Sequence, residues 1–142
     1  MRTNECGRRN SAQRGIENIK ILVIDDTLSV SSGVAWVLIH QGYLVRVARN
    51  LREAETVLAD FQPELIILDI RMAHAGGAHL CRMIRDRPEY GVAPVIMLAG
   101  PSDADAIKCA IAAGCDDYIT RPVSDEKLLL VVETHLARGG VL

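Results

Sequence analysis

Several features that mark specialised protein classes are scarce in this sequence. Aromatic residues make up 4% of the chain. The longest apolar runs, such as Leu65–Leu68, are far shorter than the ~20 residues of a membrane-spanning helix. No apolar stretch follows Met1, so a secretory signal is not expected. The 16 basic and 18 acidic residues give a formal net charge of −2, too small a field to attract nucleic acid or an anionic membrane. These absences predict a cytoplasmic protein that contacts neither nucleic acid nor a membrane directly.

The cysteines lack the spacing of a metal site or a redox motif. Cys6, Cys81, Cys109 and Cys115 form no CxxC pair, and no histidine stands at zinc-finger spacing from them. Cys81 and Cys109 fall in predicted helices among apolar neighbours, where cysteine behaves as a small hydrophobic residue. We expect free thiols, as is usual in a reducing compartment, with a disulfide or a metal role as the alternative.

The sequence does contain enough apolar residues for one compact domain. Hydrophobic residues make up 49% of the 142 residues, and a chain of about this length buries roughly 70% of its extended surface. Residues 1–18 hold arginines among small polar residues without a hydrophobic period, which predicts a flexible basic tail. Residues 19–137 are expected to form the domain, and residues 138–142 a short C-terminal tail. A complete chain would then act by docking on another protein, whereas a fragment would have its effector elsewhere.

Apolar runs and helical periods alternate along this domain. Short, nearly continuous apolar runs predict buried strands, and apolar residues at helical spacing predict the helices between them. Asn50, with Glu53 three residues later, resembles a capping box, and Ser102 and Ser124 are expected to begin two other helices. The predicted strands are Ile19–Ile24, Leu44–Ala48, Glu64–Leu68, Pro94–Ala99 and Asp117–Thr120. The predicted helices are Leu28–Gln41, Leu51–Phe61, His79–Asp86, one from Ser102 to near Gly114, and one from Ser124 onward.

Alternation of this kind predicts an α/β fold, with a parallel sheet and helices on both faces. Three of the strands are apolar throughout and belong in the centre. Leu44–Ala48, which Arg46 interrupts, and the short Asp117–Thr120 suit the edges. With right-handed crossovers, the doubly wound, flavodoxin-like order 2-1-3-4-5 of a five-stranded parallel sheet places them there. The switch point of that order lies between strands 1 and 3.

Carboxylates follow the two strands at this switch point. Asp25 and Asp26 come directly after the first strand, and Asp69 comes directly after the third. Ligands of such sheets bind beyond the carboxyl ends of the strands, so we expect the three side chains to converge there. Their charges would repel each other unless a cation offset them, and an all-oxygen ligand set suits Mg²⁺. The alternative is that each aspartate is only a loop or helix-capping residue.

Short motifs stand in order around these aspartates. They are Val23-Ile24-Asp25-Asp26, Leu68-Asp69-Ile70-Arg71-Met72 with Gly77, Pro94-Val95-Ile96-Met97-Leu98, and Ala113-Gly114-Cys115-Asp116-Asp117-Tyr118-Ile119 with Pro122. Each motif alone is weak. Together, over about Ile19 to Leu136, they resemble the receiver domain of the response regulators of two-component signalling.

The resemblance implies a role for each matching residue. Asp69 would be the phosphoacceptor, taking a phosphoryl group from a phosphohistidine on a sensor kinase or a phosphotransfer protein. Asp25, Asp26, Asp69 and the backbone carbonyl of Arg71 would hold Mg²⁺, which suits the charge that develops in phosphoryl transfer. The face of the fourth helix, fifth strand and fifth helix would pass the signal to a downstream protein, with a second copy of the chain as a further option.

Two departures from the family pattern affect the same site. The family usually has threonine or serine where this chain has Ala99, so a hydroxyl donor to the phosphoryl group is missing. It usually has lysine where this chain has Arg121, which keeps the charge but replaces a compact ammonium with a forked guanidinium. Arg121 could clamp a phosphoryl oxygen, or it could pair with Asp69 and block it. Tyr118 stands at the aromatic switch position of the family, with an ordinary edge-strand tyrosine as the alternative. Pro122 is a candidate cis-proline.

Three functions therefore remain open from the sequence. The first is a phosphoacceptor signalling domain that uses Mg²⁺. The second is a pseudo-receiver that binds its partner without phosphorylation, which Ala99 and Arg121 suggest. The third, a Mg²⁺-dependent aspartyl phosphatase, is disfavoured because Arg71 stands where such enzymes place a general acid. We expect no enzymatic activity beyond the phosphorylation and dephosphorylation of Asp69 itself.

Overall fold

The computed structural model describes residues 15–26, 28–71, 76–90 and 92–142, in which strands and helices alternate. The strands are β1 (Lys20–Ile24), β2 (Leu44–Ala48), β3 (Leu65–Asp69), β4 (Val95–Ala99) and β5 (Asp117–Thr120). The helices are α1 (Leu28–Gln41), α2 (Leu51–Phe61), α3 (Gly76–Arg85), α4 (Ala104–Ala112) and α5 (Asp125–Arg138). The alternation predicted from the sequence is confirmed, with helix and strand limits that differ by a few residues at most.

The strands form one five-stranded parallel sheet in the order β2-β1-β3-β4-β5. This confirms the predicted doubly wound, flavodoxin-like fold. Every residue of β3 and β4 is buried, whereas β2 and β5 at the edges leave most of their residues partly or fully exposed. Ile24 at the end of β1 pairs with Leu68 near the end of β3. The residues that follow these two strands therefore start from neighbouring points at one edge of the sheet.

The sheet separates two apolar clusters, because successive strand residues point to opposite faces. On one face, α1 and α5 cover the sheet with Val34, Leu38, Leu128, Val132 and Leu136. On the other face, α2, α3 and α4 cover it with Ala54, Leu58, Leu80, Ile84 and Ala110. Both faces of β1, β3 and β4 are thus removed from water, which explains why these strands are apolar except for Lys20 at the start of β1 and Asp69 at the end of β3.

Helix caps follow the sequence prediction at two of three sites. The side chain of Asn50 accepts a hydrogen bond from the backbone N–H of Glu53 at 2.8 Å, and that of Ser124 accepts one from Lys127 at 3.1 Å. The prediction that Ser102 caps α4 is wrong, since the residue before α4 is Asp103. The Asp103 carboxylate accepts the N–H of Gly100 at 2.6 Å instead, so it closes the turn that leads into the helix.

Residues next to the predicted domain limits are also packed against the core. Ile16–Asn18 form a single turn of 3-10 helix, and Ile16, Val141 and Leu142 contact the cluster beneath α1 and α5. The limits at residues 18 and 138 stay predictions, and residues 1–14 lie outside the described part of the chain.

The three described cysteines are free thiols, as expected from their spacing: Cys81 and Cys115 are buried and Cys109 is exposed. Cys6 lies outside the described residues. None of the described helices is both long and apolar enough to cross a bilayer.

Candidate functional site

Three carboxylates meet at the carboxyl ends of β1 and β3, as the strand order predicts. Asp25 and Asp26 follow β1 directly, and Asp69 is the last residue of β3 rather than the residue after it. Asp25 and Asp69 are 0% and 2% exposed, whereas Asp26 is open to solvent. One carboxylate oxygen from each of the three lies within 4.8 Å of the others. The site is therefore a compact acidic cluster with two buried members and one at its rim.

The backbone holds the two buried aspartates in place. The N–H of Asp25 donates to the carbonyl oxygen of Ala48 at 2.9 Å, so β2 fixes the position where the chain leaves β1. The N–H of Arg71 donates to Asp69 Oδ1 at 3.0 Å. That bond fixes one oxygen of the Asp69 carboxylate and leaves Oδ2 facing the rest of the site.

Arg121 brings a positive charge to these oxygens. Its Nη2 lies 3.2 Å from Asp69 Oδ2 and 3.8 Å from Asp25 Oδ2, and its side chain is 18% exposed. The backbone N–H of Arg121 donates to the carbonyl oxygen of Ala99 at 2.7 Å, which anchors it beside the end of β4. Because β4 lies between β5 and β3, the side chain must pass the end of β4 to reach Asp69. Ala99, which is fully buried and carries only a methyl group, leaves room for that path.

The donor set of this cluster fits a hard divalent cation. All of its side-chain ligands are carboxylate oxygens, which Mg²⁺ prefers, and exposed Asp26 opens one side of the site to water ligands. Asp25, Asp26, Asp69 and the carbonyl of Arg71 are the groups that could hold such an ion.

The remaining residues singled out from the sequence lie on β4 and β5. Ala99 ends β4, so no hydroxyl is present at that point of the site. Tyr118 lies in β5, and 43% of its surface is exposed. The peptide bond between Arg121 and Pro122 is cis. Among the motif residues, Met72 lies outside the described part of the chain.

Sequence reasoning weighed a pairing of Arg121 with Asp69 but missed its second contact, with Asp25. The signal for it was the combination of Ala99 and Arg121 on neighbouring strands. A small residue at the end of β4 permits a longer side chain from β5 to reach both β3 and β1.

The family model of the response regulator receiver domain matches residues 21–133 of this sequence. The chain belongs to this family. Among curated relatives, the transcriptional regulatory protein YvrH of Bacillus subtilis is 36% identical over 125 residues, which cover 87% of this chain and 51% of YvrH. The phosphate regulon transcriptional regulatory protein PhoB of Rhizobium meliloti is 34% identical over 120 residues, which cover 84% of this chain and 53% of PhoB. The chain thus spans about half the length of these relatives.

Solved receiver structures share the fold. A putative response regulator from Chloroflexus aurantiacus has a TM-score of 0.80 at 30% identity, with 84% of this chain and 98% of that chain covered. The chemotaxis response regulator CheY4 of Vibrio cholerae has a TM-score of 0.76 at 26% identity, with 83% of this chain and 98% of that chain covered. The described residues therefore correspond to a receiver domain of two-component signalling.

Proposed function

We propose that this receiver domain accepts a phosphoryl group on Asp69 and signals through a protein partner. The observation that supports the proposal most is the convergence of Asp25, Asp26 and Asp69 within 4.8 Å at the switch point of the sheet. A buried carboxylate, oriented by one backbone N–H and bordered by two further carboxylates and a guanidinium, has few structural uses. Phosphoryl transfer needs little more than such positioning together with charge stabilisation.

In the proposed reaction, a carboxylate oxygen of Asp69 attacks the phosphorus of a phosphohistidine on a sensor kinase or phosphotransfer protein. A P–O bond forms to Asp69 while the P–N bond to the imidazole breaks, and the imidazole nitrogen takes the electron pair. The backbone N–H of Arg71 orients the carboxylate during the attack. Arg121 offsets negative charge beside Asp69. Asp25, Asp26, Asp69 and the Arg71 carbonyl would hold Mg²⁺, which, when bound, stabilises the charge on the phosphoryl oxygens.

The output surface in this proposal is the face of α4, β5 and α5. Ile111, Tyr118 and Leu130 are exposed hydrophobic residues on these three elements, at 50%, 43% and 61% exposure. Exposed charged residues such as Asp105 and Lys127 lie on the same two helices. A surface of mixed charge with exposed apolar residues suits a protein partner or a second copy of the chain better than nucleic acid. Several relatives are named as transcriptional or DNA-binding regulators, and we propose that in such proteins DNA contact belongs to the part that this chain does not match.

Intact-mass spectrometry after incubation with acetyl phosphate and Mg²⁺ tests the proposal. The wild-type chain should gain the mass of one phosphoryl group, and Asp69→Asn should gain none. Asp60→Asn, the same exchange at an exposed position on α2, is the matched control and should behave as the wild type. An unmodified wild-type chain at millimolar Mg²⁺ would contradict the proposal. Unchanged partner binding by Asp69→Ala would then favour a module that works without phosphorylation.

A further inference from the structure

Arg121 occupies the position from which a cation would neutralise Asp25 and Asp69. Its Nη2 lies 3.2 Å from one carboxylate and 3.8 Å from the other. At such distances two unit charges attract each other strongly even at the effective dielectric of a partly buried site. A divalent ion that binds the same two oxygens must therefore work against the guanidinium. This reasoning rests on the proposed function, because that proposal brings the ion to the site.

The guanidinium is held by charge more than by directional bonds. Its Nη1 and Nη2 are both buried, yet neither makes a hydrogen bond of good geometry with the described residues. A buried guanidinium with all its N–H groups satisfied would be fixed in one place, since removing it would leave several acceptors unpaired. Arg121 lacks that restraint at its terminal nitrogens. The ion pairs of Nη2 with Asp69 and Asp25 therefore hold the side chain at the two aspartates, without a hydrogen bond from its terminal nitrogens.

A cavity lies directly beside Arg121, between α1 and α5. It has a volume of about 260 Å³ and is lined by Arg121 and Pro122 together with apolar side chains such as Val34, Val37 and Leu128. Asp125, the first residue of α5, is the only carboxylate among the described residues that line it. The cavity thus offers the guanidinium both space and a second negative partner.

We propose that Arg121 is a tethered counter-cation with two positions. In the first it neutralises Asp69 and Asp25, and in the second it lies in the cavity and pairs with Asp125 while a divalent ion occupies the carboxylates. The two cations compete, so Arg121 sets the affinity of the site for Mg²⁺. Asp125 lowers the free-energy cost of the displacement and is a positioning residue, because it acts through Arg121 rather than on the ion.

Isothermal titration calorimetry with Mg²⁺ alone, without a phosphoryl donor, measures this competition. Arg121→Gln removes the competing charge and should tighten the Kd for Mg²⁺ by about tenfold or more. Arg121→Lys keeps the charge and should fall between the wild type and Arg121→Gln. Arg138→Gln is the matched control, because it removes the same charge from the far end of α5 and should leave the Kd unchanged.

A double-mutant cycle tests the second position of the guanidinium. Asp125→Asn should weaken Mg²⁺ binding severalfold in the wild-type background, and it should have no effect when combined with Arg121→Gln. Glu126→Gln, the same change of charge at the next residue of α5, controls for the general electrostatics of the helix. It should leave the Kd for Mg²⁺ unchanged, because Glu126 is not among the residues that line the cavity.

The outcomes separate this inference from the proposed function. Mg²⁺ binding that is equal in the wild type and Arg121→Gln overturns the inference and leaves the phosphoacceptor proposal standing. Absence of Mg²⁺ binding in every variant overturns both. If Arg121→Gln does not fold, NMR of the arginine side-chain N–H groups in the wild type decides: Mg²⁺ should shift the Arg121 Nε resonance, and Asp125→Asn should alter its end point. An Arg121 resonance that Mg²⁺ leaves unchanged also overturns the inference.

Discussion

Replacing Arg85 by methionine should destabilise the fold more than any surface substitution of similar size. Arg85 is the last residue of α3, and its guanidinium reaches the loop between α4 and β5 and the segment before β4. Nε donates to the carbonyl oxygen of Gly114 at 3.0 Å, and Nη1 donates to that of Ala93 at 2.8 Å. Nη2 pairs with the carboxylate of Asp116. The Arg85 side chain therefore connects α3 to the loop before β5 and to the segment before β4.

The expected loss follows from the number and kind of contacts that the substitution removes. A hydrogen bond from a charged donor contributes about 1.5 kcal/mol or more, so the two carbonyl bonds of Arg85 together account for roughly 3 kcal/mol. The ion pair adds less than about 1 kcal/mol, because the Asp116 side chain is 40% exposed. Asp116 also keeps a partner after the substitution, since it accepts the N–H of Val95 at 2.8 Å. We expect Arg85→Met to lower the free energy of unfolding by about 3 kcal/mol.

Urea titration followed by circular dichroism measures this loss. The midpoint should fall at an unchanged slope, and the Tm should fall by roughly 10 °C. Arg82→Met on the same helix is the control, because Arg82 is exposed, and its effect should stay within about 0.5 kcal/mol. A loss below about 1 kcal/mol for Arg85→Met would refute the reasoning, since the buried carbonyls would then have found other donors.

Three further predictions concern single groups. Burial raises the pKa of the Cys115 thiol to about 11, so iodoacetamide at mildly alkaline pH should label exposed Cys109 and spare Cys115 until denaturant is added, as peptide mass mapping can measure. Burial, followed by the charge of Glu133, raises the pKa of Tyr43 from 10.0 to about 12. The unfolded chain then loses this proton first, so stability to urea should fall between pH 10 and pH 12, and a Tyr43→Phe chain should lack this component. Asn50→Ala removes the N-cap of α2 and should cost about 1 kcal/mol in thermal unfolding, with an unchanged Tm as the contrary result.

Most of the fold could be predicted from the sequence, because the apolar patterns and the local helix and strand signals indicated the same elements. Strands that are buried on both faces are mostly apolar, so β1, β3 and β4 were identifiable as the central strands. Arg46 interrupts the apolar residues of β2, and a charged residue is tolerated only where a strand is partly exposed, so it indicated an edge strand. The cap of α4 could not be predicted as reliably, because Ser102 and Asp103 are both good capping residues. In the structure Asp103 is the residue before the helix, and its carboxylate accepts the N–H of Gly100 rather than an N–H of the helix.

Part of the candidate site could likewise be predicted from the sequence, and part could not. Strand order alone predicts that Asp25, Asp26 and Asp69 converge, since parallel strands end at one edge of the sheet. The sequence left two positions open for the Arg121 guanidinium, because a long side chain has many rotamers, and the structure has the one beside Asp69. The contacts made by Arg85 were missed as well, since two of its acceptors are the backbone carbonyls of Ala93 and Gly114, which carry no sequence signal.

Fluorine NMR of the chain with beryllofluoride and Mg²⁺ tests the central claim, that Asp69 is a Mg²⁺-dependent phosphoacceptor, most directly. Beryllofluoride bonds to a carboxylate oxygen in the place of a phosphoryl group, so no kinase is needed. The account predicts a resonance of bound fluoride that requires Mg²⁺, occurs in the wild type and is absent from Asp69→Asn. A wild-type chain without that resonance at millimolar Mg²⁺, or a resonance that persists in Asp69→Asn, would contradict it.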